Sequence, residues 1–519
     1  MTPDIPEHAW PEHAWPAHAR PEHAWRRGPG ALDARLLDVP MLETVRAMAG
    51  RTPDALAIAE PGRSVTYAQL WRAIGERVAG LASVSEPGGT VGVIEPYGLE
   101  YCLCVLACMA AGRICVPLDP AAPAQRLAEL ARAVRMQAGF GPADALPAGC
   151  RPVPAGAHPA PTIRVDVRGP AFIVATSGSS GQPKLVVQNQ RTWAFHARGF
   201  VDLFGLTARD RHVFAGAPNS FSAVIHVVTP LLVGGAVLAC DLRTHGLSRL
   251  LELMTQHGAT VLRIAPTLAR TVMRPAARAA FASLHGVRLV GEAVSAADVA
   301  ALRPLLPAGA MVASCYGATE TIPFEYVVPA DFPADSATMP CGHLRPGGTF
   351  AILDDDGCPC PDGVAGELVI RSRYNAMGEW RDGGFVRGRM LPDPADPEAT
   401  MYRTGDVALV QPDGLLTVLG RIDRQVKVNS NRVDLVEVEA EIRALADITD
   451  AAVLAREVAE RVEIVAFVVG GAAAAEIRRS LADRLPGYML PARIVHVGRI
   501  PLLPGGKTDW RSLMRSLDE

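Results

Sequence analysis

The chain of 519 residues has no excess of charge of either sign: 51 Lys plus Arg stand against 54 Asp plus Glu, a formal net charge of −3. A surface so balanced exerts no general pull on nucleic acid or anionic membrane, and neither is expected as a partner. The N-terminus lacks the basic segment and apolar core of a secretory leader. The longest apolar stretches, Cys102 to Leu118 and Val224 to Cys240, are broken by Gly112-Arg113 and by His226, Pro230 and Gly234-Gly235. They read as buried helix and strand pieces, not membrane spans. The ten cysteines include no CxxC pair, and Cys358-Pro-Cys360 lacks a second ligand pair at zinc-like spacing. Reduced, mostly buried thiols of a cytoplasmic protein are therefore expected.

What the chain does have begins with a repeat: Pro6-Glu-His-Ala-Trp10, Pro11-Glu-His-Ala-Trp15, Pro16-Ala-His-Ala-Arg20 and Pro21-Glu-His-Ala-Trp25. A proline every fifth residue stops helix propagation, so residues 1–29 are expected to form a disordered tail. From about Ala31, helical stretches such as Tyr67 to Leu81 and Gln125 to Val134 alternate with apolar runs such as Val91 to Ile94 and Phe172 to Ala175. That alternation predicts an α/β protein of sheets covered by helices. Past Gly420-Arg-Ile-Asp423, Leu435, Val438, Ile442 and Leu445 recur at helical spacing. Strand-like Val462 to Val469, a helix near Glu476 to Leu485 and strand-like Arg493 to Val497 follow. A large domain over 30–422 and a small α+β domain over 423–519 are expected.

The most informative local signal is Ala175-Thr-Ser-Gly-Ser-Ser-Gly-Gln-Pro-Lys184. Small hydroxyl and glycine residues let backbone N–H groups wrap an anion, and the lysine adds a point charge. It is not the Walker pattern, because Gly-Lys-Ser/Thr is missing and Pro183 intervenes. Downstream stand Ser314-Cys-Tyr-Gly-Ala-Thr-Glu-Thr321, Tyr402-Arg-Thr-Gly-Asp406, Gly420-Arg-Ile-Asp-Arg-Gln-Val-Lys427 and Pro501-Leu-Leu-Pro-Gly-Gly-Lys-Thr-Asp509. In these blocks and their order the chain resembles the adenylate-forming enzymes, which include acyl-CoA ligases, luciferases and the adenylation domains of peptide synthetases. Val65 to Leu70, Val116 to Pro120 with Arg126, Gly366 to Ile370 and Pro486 to Pro491 lean toward the peptide-synthetase branch.

The resemblance implies ATP and Mg²⁺ as cofactors and a mobile C-terminal domain. Thr176, Ser177, Gly178, Ser179, Ser180, Gly181 and Lys184 would cradle phosphates. Tyr316 and Gly317 would lie at the adenine, where a flat aromatic face suits stacking. Glu320, next to Thr319, would bind the metal ion, which prefers carboxylate oxygen. Asp406 would accept the ribose hydroxyls, Arg421 would neutralise phosphate or assist closure, and Asp423 would be the hinge. Lys507 would stabilise charge as a carboxylate displaces pyrophosphate from the α-phosphate.

Two departures bear on the substrate and the acceptor. Where amino-acid-activating relatives hold the substrate ammonium with an aspartate, this chain has Ser222. A neutral hydroxyl cannot compensate a buried ammonium, so a standard α-amino acid is disfavoured. By the same alignment the pocket includes Ala223, His226, Arg263, Val290, Cys315, Pro323 and Phe324. Arg263 and Arg288 lie on strand-like runs leading toward it, and either turned inward would favour a small or anionic acid. The second departure is Asn429-Ser-Asn431, where thiol-transferring relatives carry Arg-Gly-aromatic. The chain ends at Glu519 without a carrier attachment motif, and a free-standing enzyme is expected. The leading expectation is adenylation of a small acid and transfer to a separate acyl or peptidyl carrier protein in specialised metabolism. The alternatives are an acyl-CoA ligase, a ligase passing the activated acid, even nitrite, to an amine, and a non-catalytic nucleotide-binding protein.

Overall fold

The computed structural model describes residues 25–27, 30, 32–156, 163, 165–176, 184–273, 277–334, 336, 339–354, 356–421, 425–429, 431–458, 461–501, 508 and 510–517. Among them, three large sheets precede a C-terminal domain with a separate sheet. The nine-stranded sheet runs His343–Leu344, Phe324–Val327, Met311–Tyr316, Gly286–Val290, Val261–Ile264, Arg211–Ala215, Ala236–Leu238, Leu56–Glu60 and Arg63–Thr66. Its strands from Met311–Tyr316 to Leu56–Glu60 are mutually parallel, with antiparallel strands at both edges. Parallel strands of this kind are covered by helices on both faces, as the alternating pattern requires. In the eight-stranded sheet, Pro170–Thr176 lies parallel to Ile114–Pro117 and antiparallel to Lys184–Asn189. A six-stranded antiparallel sheet is built around Gly366–Ser372 and Asp396–Val410.

Local chemistry sets the helix boundaries. Thr66 caps Tyr67–Val84 in a reciprocal capping box with Gln69, so the Val65 to Leu70 block is itself a helix start. Gln190–Phe204 opens on the Asn189 side chain and stops at Gly205, whose φ of 61° suits glycine. The two apolar stretches resolve into helix Leu99–Ala110 with strand Ile114–Pro117, and helix Phe221–Val228 with strand Ala236–Leu238. Every side chain of Leu99–Ala110 except Glu100 is buried. No helix among the described residues is long and apolar enough to cross a membrane. All ten cysteines are unbridged, and six of them are buried.

The C-terminal part has its own core. Helix Leu435–Arg443 packs Val438 and Ile442 with Val453 of Ile448–Val458, with Ile464 and Ala466 of Arg461–Gly470, and with Ile477 and Leu481 of Ala474–Ala482. The sequence pattern places that last helix two residues later. The tail expectation needs a larger correction. Arg26–Arg27 pairs antiparallel with Gly348–Leu353, and Trp25 lies 4.7 Å under the Arg371 guanidinium. Arg26–Arg27, directly after the last repeat unit, is therefore a docked strand at the edge of the six-stranded sheet, where an edge strand offers backbone partners.

Candidate active site

Helix Phe221–Val228 starts at Ser220, whose hydroxyl accepts the Ala223 amide at 3.1 Å. Ser222 and His226, four residues apart, thereby share one helix face. Opposite them, register sets Arg263 beside Arg288 on adjacent parallel strands. Alternation sends Leu262, Ile264, Val287 and Leu289 into a hydrophobic core and turns both arginines to the other face. Arg263 Nη1 donates to His226 Nε2 at 2.8 Å and Nη2 donates to Ser222 Oγ at 2.7 Å. Arg288 Nη2 donates to Cys315 Sγ at 2.7 Å and to Glu325, whose carboxylate also receives Arg345. Arg263, Arg288 and Arg345 are 5%, 4% and 5% exposed.

This is an electropositive interior with three guanidiniums and one carboxylate. Burial, with Arg288 and Arg345 nearby, lowers the Arg263 pKa to about 9. Burial also pushes Arg288 down, but Cys315 and Glu325 outweigh it and the net direction is upward. Burial holds His196, His212 and His226 neutral, and the neighbouring arginines act in the same direction. Cys315 is buried and Val290 half-buried on neighbouring strands, in register with each other. The Pro323 carbonyl accepts the Arg345 amide at 3.0 Å. Ala223 joins the main hydrophobic core. Phe324 stands apart from the arginines: pairing with Tyr316 puts it on the opposite sheet face, edge-on to Phe350. Glu325, Arg345, His196 and His212 lie outside the matched sequence blocks; the one sequence signal is the placement of Glu325 just after Pro323-Phe324.

At the other end, Thr176 and Lys184 face each other across the hairpin that brackets the Gly/Ser loop. Ser177, Gly178, Ser179, Ser180 and Gly181 lie outside the described residues, as do Asp423 and Lys507. Gln188, fully buried on the strand that leaves this loop, donates its side-chain amide to the Thr319 carbonyl. The Glu320 carbonyl accepts the Ala376 amide at 2.9 Å, and its side chain is buried. The segment Gly317 to Glu320 is thus tied to the strand after the loop. Asp406 receives the Tyr316 hydroxyl on Oδ2 and Arg421 Nη1 on Oδ1 at 2.6 Å. Burial and the Asp406 carboxylate raise the Tyr316 pKa, so the phenol stays a donor. Lys427 of the C-terminal hairpin also acts here, since its charge counteracts the burial that pushes the nearby Cys341 thiol to about 11.

The described residues contain no group of three His, Cys, Asp or Glu side chains able to cage a metal ion. Glu320 fits the other mode of binding Mg²⁺, in which one carboxylate and substrate phosphates share the ion. Among the described residues the site comprises Thr176 and Lys184 paired across a hairpin, Asp406 hydrogen-bonded by Tyr316 and Arg421, and a separate arginine-rich interior.

The family model for AMP-binding enzymes matches residues 45–380, and that for the AMP-binding enzyme C-terminal domain matches 437–507. The chain belongs to this family and is an AMP-forming ligase that uses ATP and Mg²⁺. It is 30% identical over 488 residues to phenyloxazoline synthase MbtB of Mycobacterium sp. (strain MCS), covering 90% of this chain and 41% of the relative. It is 29% identical over 500 residues to tyrocidine synthase 3 of Brevibacillus parabrevis, covering 92% of this chain and 8% of that one. The chain thus spans less than half of these curated relatives. Among solved structures, holo-PA1221, a peptide-synthetase protein with adenylation and PCP domains, is similar with a TM-score of 0.78 and 27% identity over 93% of this chain and 86% of that one. The amide bond synthetase McbA of Marinactinospora thermotolerans shares the fold, with a TM-score of 0.78 at 22% identity over 92% and 99% of the two chains.

Proposed function

We propose that this chain adenylates a small carboxylic acid other than a standard α-amino acid and passes the acyl group to the thiol of a separate carrier protein. The observation that carries the substrate reading is Ser222 hydrogen-bonded to Arg263. An α-ammonium seated there would meet a buried like charge where amino-acid-activating relatives offer a carboxylate.

The chemistry is displacement at phosphorus. A carboxylate oxygen attacks the α-phosphorus of ATP in line, the bond to the bridging oxygen breaks, and pyrophosphate leaves. Thr176, the 177–181 loop and Lys184 hold the phosphates. Glu320, with Thr319 beside it, holds Mg²⁺, which supplies charge neutralisation on the phosphates. Tyr316 and Gly317 border the adenine, and Asp406 accepts the ribose hydroxyls with its carboxylate positioned by Arg421. Lys507 spans the attacking carboxylate and the bridging oxygen. Asp423, between domains at 30–422 and 423–519, is the hinge that brings Lys507 in and out.

A carrier thiol is the acceptor favoured by the peptide-synthetase relatives. The hairpin at 425–434 supports an amine as a second reading. Its turn residue Asn429 takes φ 47°, and Asn431 donates to the Asn429 carbonyl at 2.9 Å; Ser430, where thiol-transferring relatives keep a glycine, stands between them outside the described residues. The test is acid-dependent ATP–pyrophosphate exchange across amino, aryl, short dicarboxylic and inorganic acids, followed by product analysis with carrier protein, CoA or amines. Exchange with a non-amino carboxylic acid and acyl transfer to a carrier are expected. Exchange confined to ordinary α-amino acids would overturn the substrate reading, and transfer only to CoA or an amine would overturn the acceptor.

A further inference from the structure

The arginine interior is asymmetric in its compensation. Glu325 receives both Arg288 and Arg345, so that carboxylate is shared by two guanidiniums. Among the described residues, the hydrogen-bond partners of Arg263 are His226 and Ser222, both neutral, and Glu325 acts on it through space without a hydrogen bond. The hydrogen bond it donates to His226 Nε2 makes that nitrogen an acceptor and leaves the proton on Nδ1. Among the described residues, Arg263 Nε, His226 Nδ1 and both ring nitrogens of His212 are buried without a hydrogen-bond partner. These side chains are 5%, 1% and 1% exposed. A buried guanidinium that hydrogen-bonds no carboxylate among the described residues, and feels Glu325 only through space, sits among unmet imidazole and guanidinium N–H groups, an arrangement an anion would compensate.

Its position says which anion. Arg263 contacts Ser222 on the helix face from which relatives, by the resemblance above, hold the substrate's α-substituent. The sign of the recognising charge is therefore reversed at that place. A guanidinium presents paired N–H groups in the spacing of carboxylate oxygens, whereas a small hydrophobic acid would leave the donors unmet.

We infer that the acid activated by this enzyme carries a second anionic group, a carboxylate in a short dicarboxylic acid, which seats on Arg263 between Ser222 and His226. The inference rests on the adenylation reading above and names its substrate class. One carboxylate of the substrate meets Arg263 and the other reacts with ATP.

The test uses the full chain with ATP and Mg²⁺ and measures pyrophosphate release for malonate, succinate and glutarate. Each is compared with its half-amide and with the amino acid of matched length, and nitrite is a further arm. At least one dicarboxylate should exceed its half-amide in kcat/KM by roughly 10- to 100-fold, the range of a lost charged hydrogen bond. Arg263→Met should remove that preference while ATP still binds by calorimetry, Arg263→Lys should restore part of it, and Ser222→Asp should abolish it by pairing with Arg263. Release with none of the dicarboxylates, equal use of the half-amides, or a preference that survives in Arg263→Met overturns the inference. Release with some other acid class would leave the adenylation reading standing, whereas silence with every acid and intact ATP binding would remove both.

Discussion

A histidine buried beside guanidiniums keeps its ring neutral, and that choice is written into stability. Burial and then Arg263 lower the His212 pKa to about 3, while burial and neighbouring cations push His196 and His226 down as well. The unfolded chain titrates each near 6.5. Below that pH the unfolded state takes up protons that the native state refuses, so this stability is present above pH 6.5 and is lost as pH falls toward the native values. Each histidine then costs about 1.4 kcal/mol per pH unit. Urea unfolding at pH 7.5, 6.5 and 5.5 should show stability falling with pH, and His212→Leu should flatten the slope by one proton. An unchanged slope in that variant would refute the neutral assignment. Ser222, His226 and Arg263 could be named from the sequence because alignment to a known family, between its matched blocks, singled out their positions. His196, Glu325 and Arg345 could not, since residues 196, 325 and 345 are brought to one place only by a helix, an antiparallel strand next to the sheet edge and the residue after the edge strand His343–Leu344.

At the scale of elements, the sequence announced most starts and stops, because caps and breakers act within a few residues. The capping box at Thr66, the Ser220 cap and the Gly205 stop all match local chemistry. Contacts between elements distant in sequence were silent. Arg126 on helix Ala124–Ala133 donates to Glu437 on helix Leu435–Arg443 at 3.0 Å, with side chains 11% and 0% exposed. This buried pair joins the large part of the chain to the C-terminal one. Removing one member of such a pair typically costs about 3–5 kcal/mol, while replacing both with apolar residues costs far less. Arg126→Met and Glu437→Met, alone and together, should therefore give a double variant much more stable than the sum of the singles, read by urea unfolding. Strict additivity would mean that the two helices are not coupled through this pair.

For the whole molecule, the reaction proposed above requires an acid, a nucleotide and Lys507 of the C-terminal region to meet. Lys507→Ala is expected to cut acid-dependent pyrophosphate release roughly 100-fold or more, as loss of a group that stabilises reacting charge does. ATP affinity by calorimetry should stay within a few-fold. Wild-type exchange in that variant would remove Lys507 from the reaction. By itself the sequence determined the α/β class and the ordered blocks that belong to AMP-binding enzymes. These are properties of composition, local propensity and motif order, which a linear chain carries without folding. Only the tertiary structure decided that Arg263 and Arg288 point inward, that Glu325 is shared by Arg288 and Arg345, and that the hydrogen-bond partners of Arg263 among the described residues are neutral. A strand's sequence says that alternate side chains face opposite ways, but the face that meets a histidine helix and not a hydrophobic core is set by how the sheet is packed.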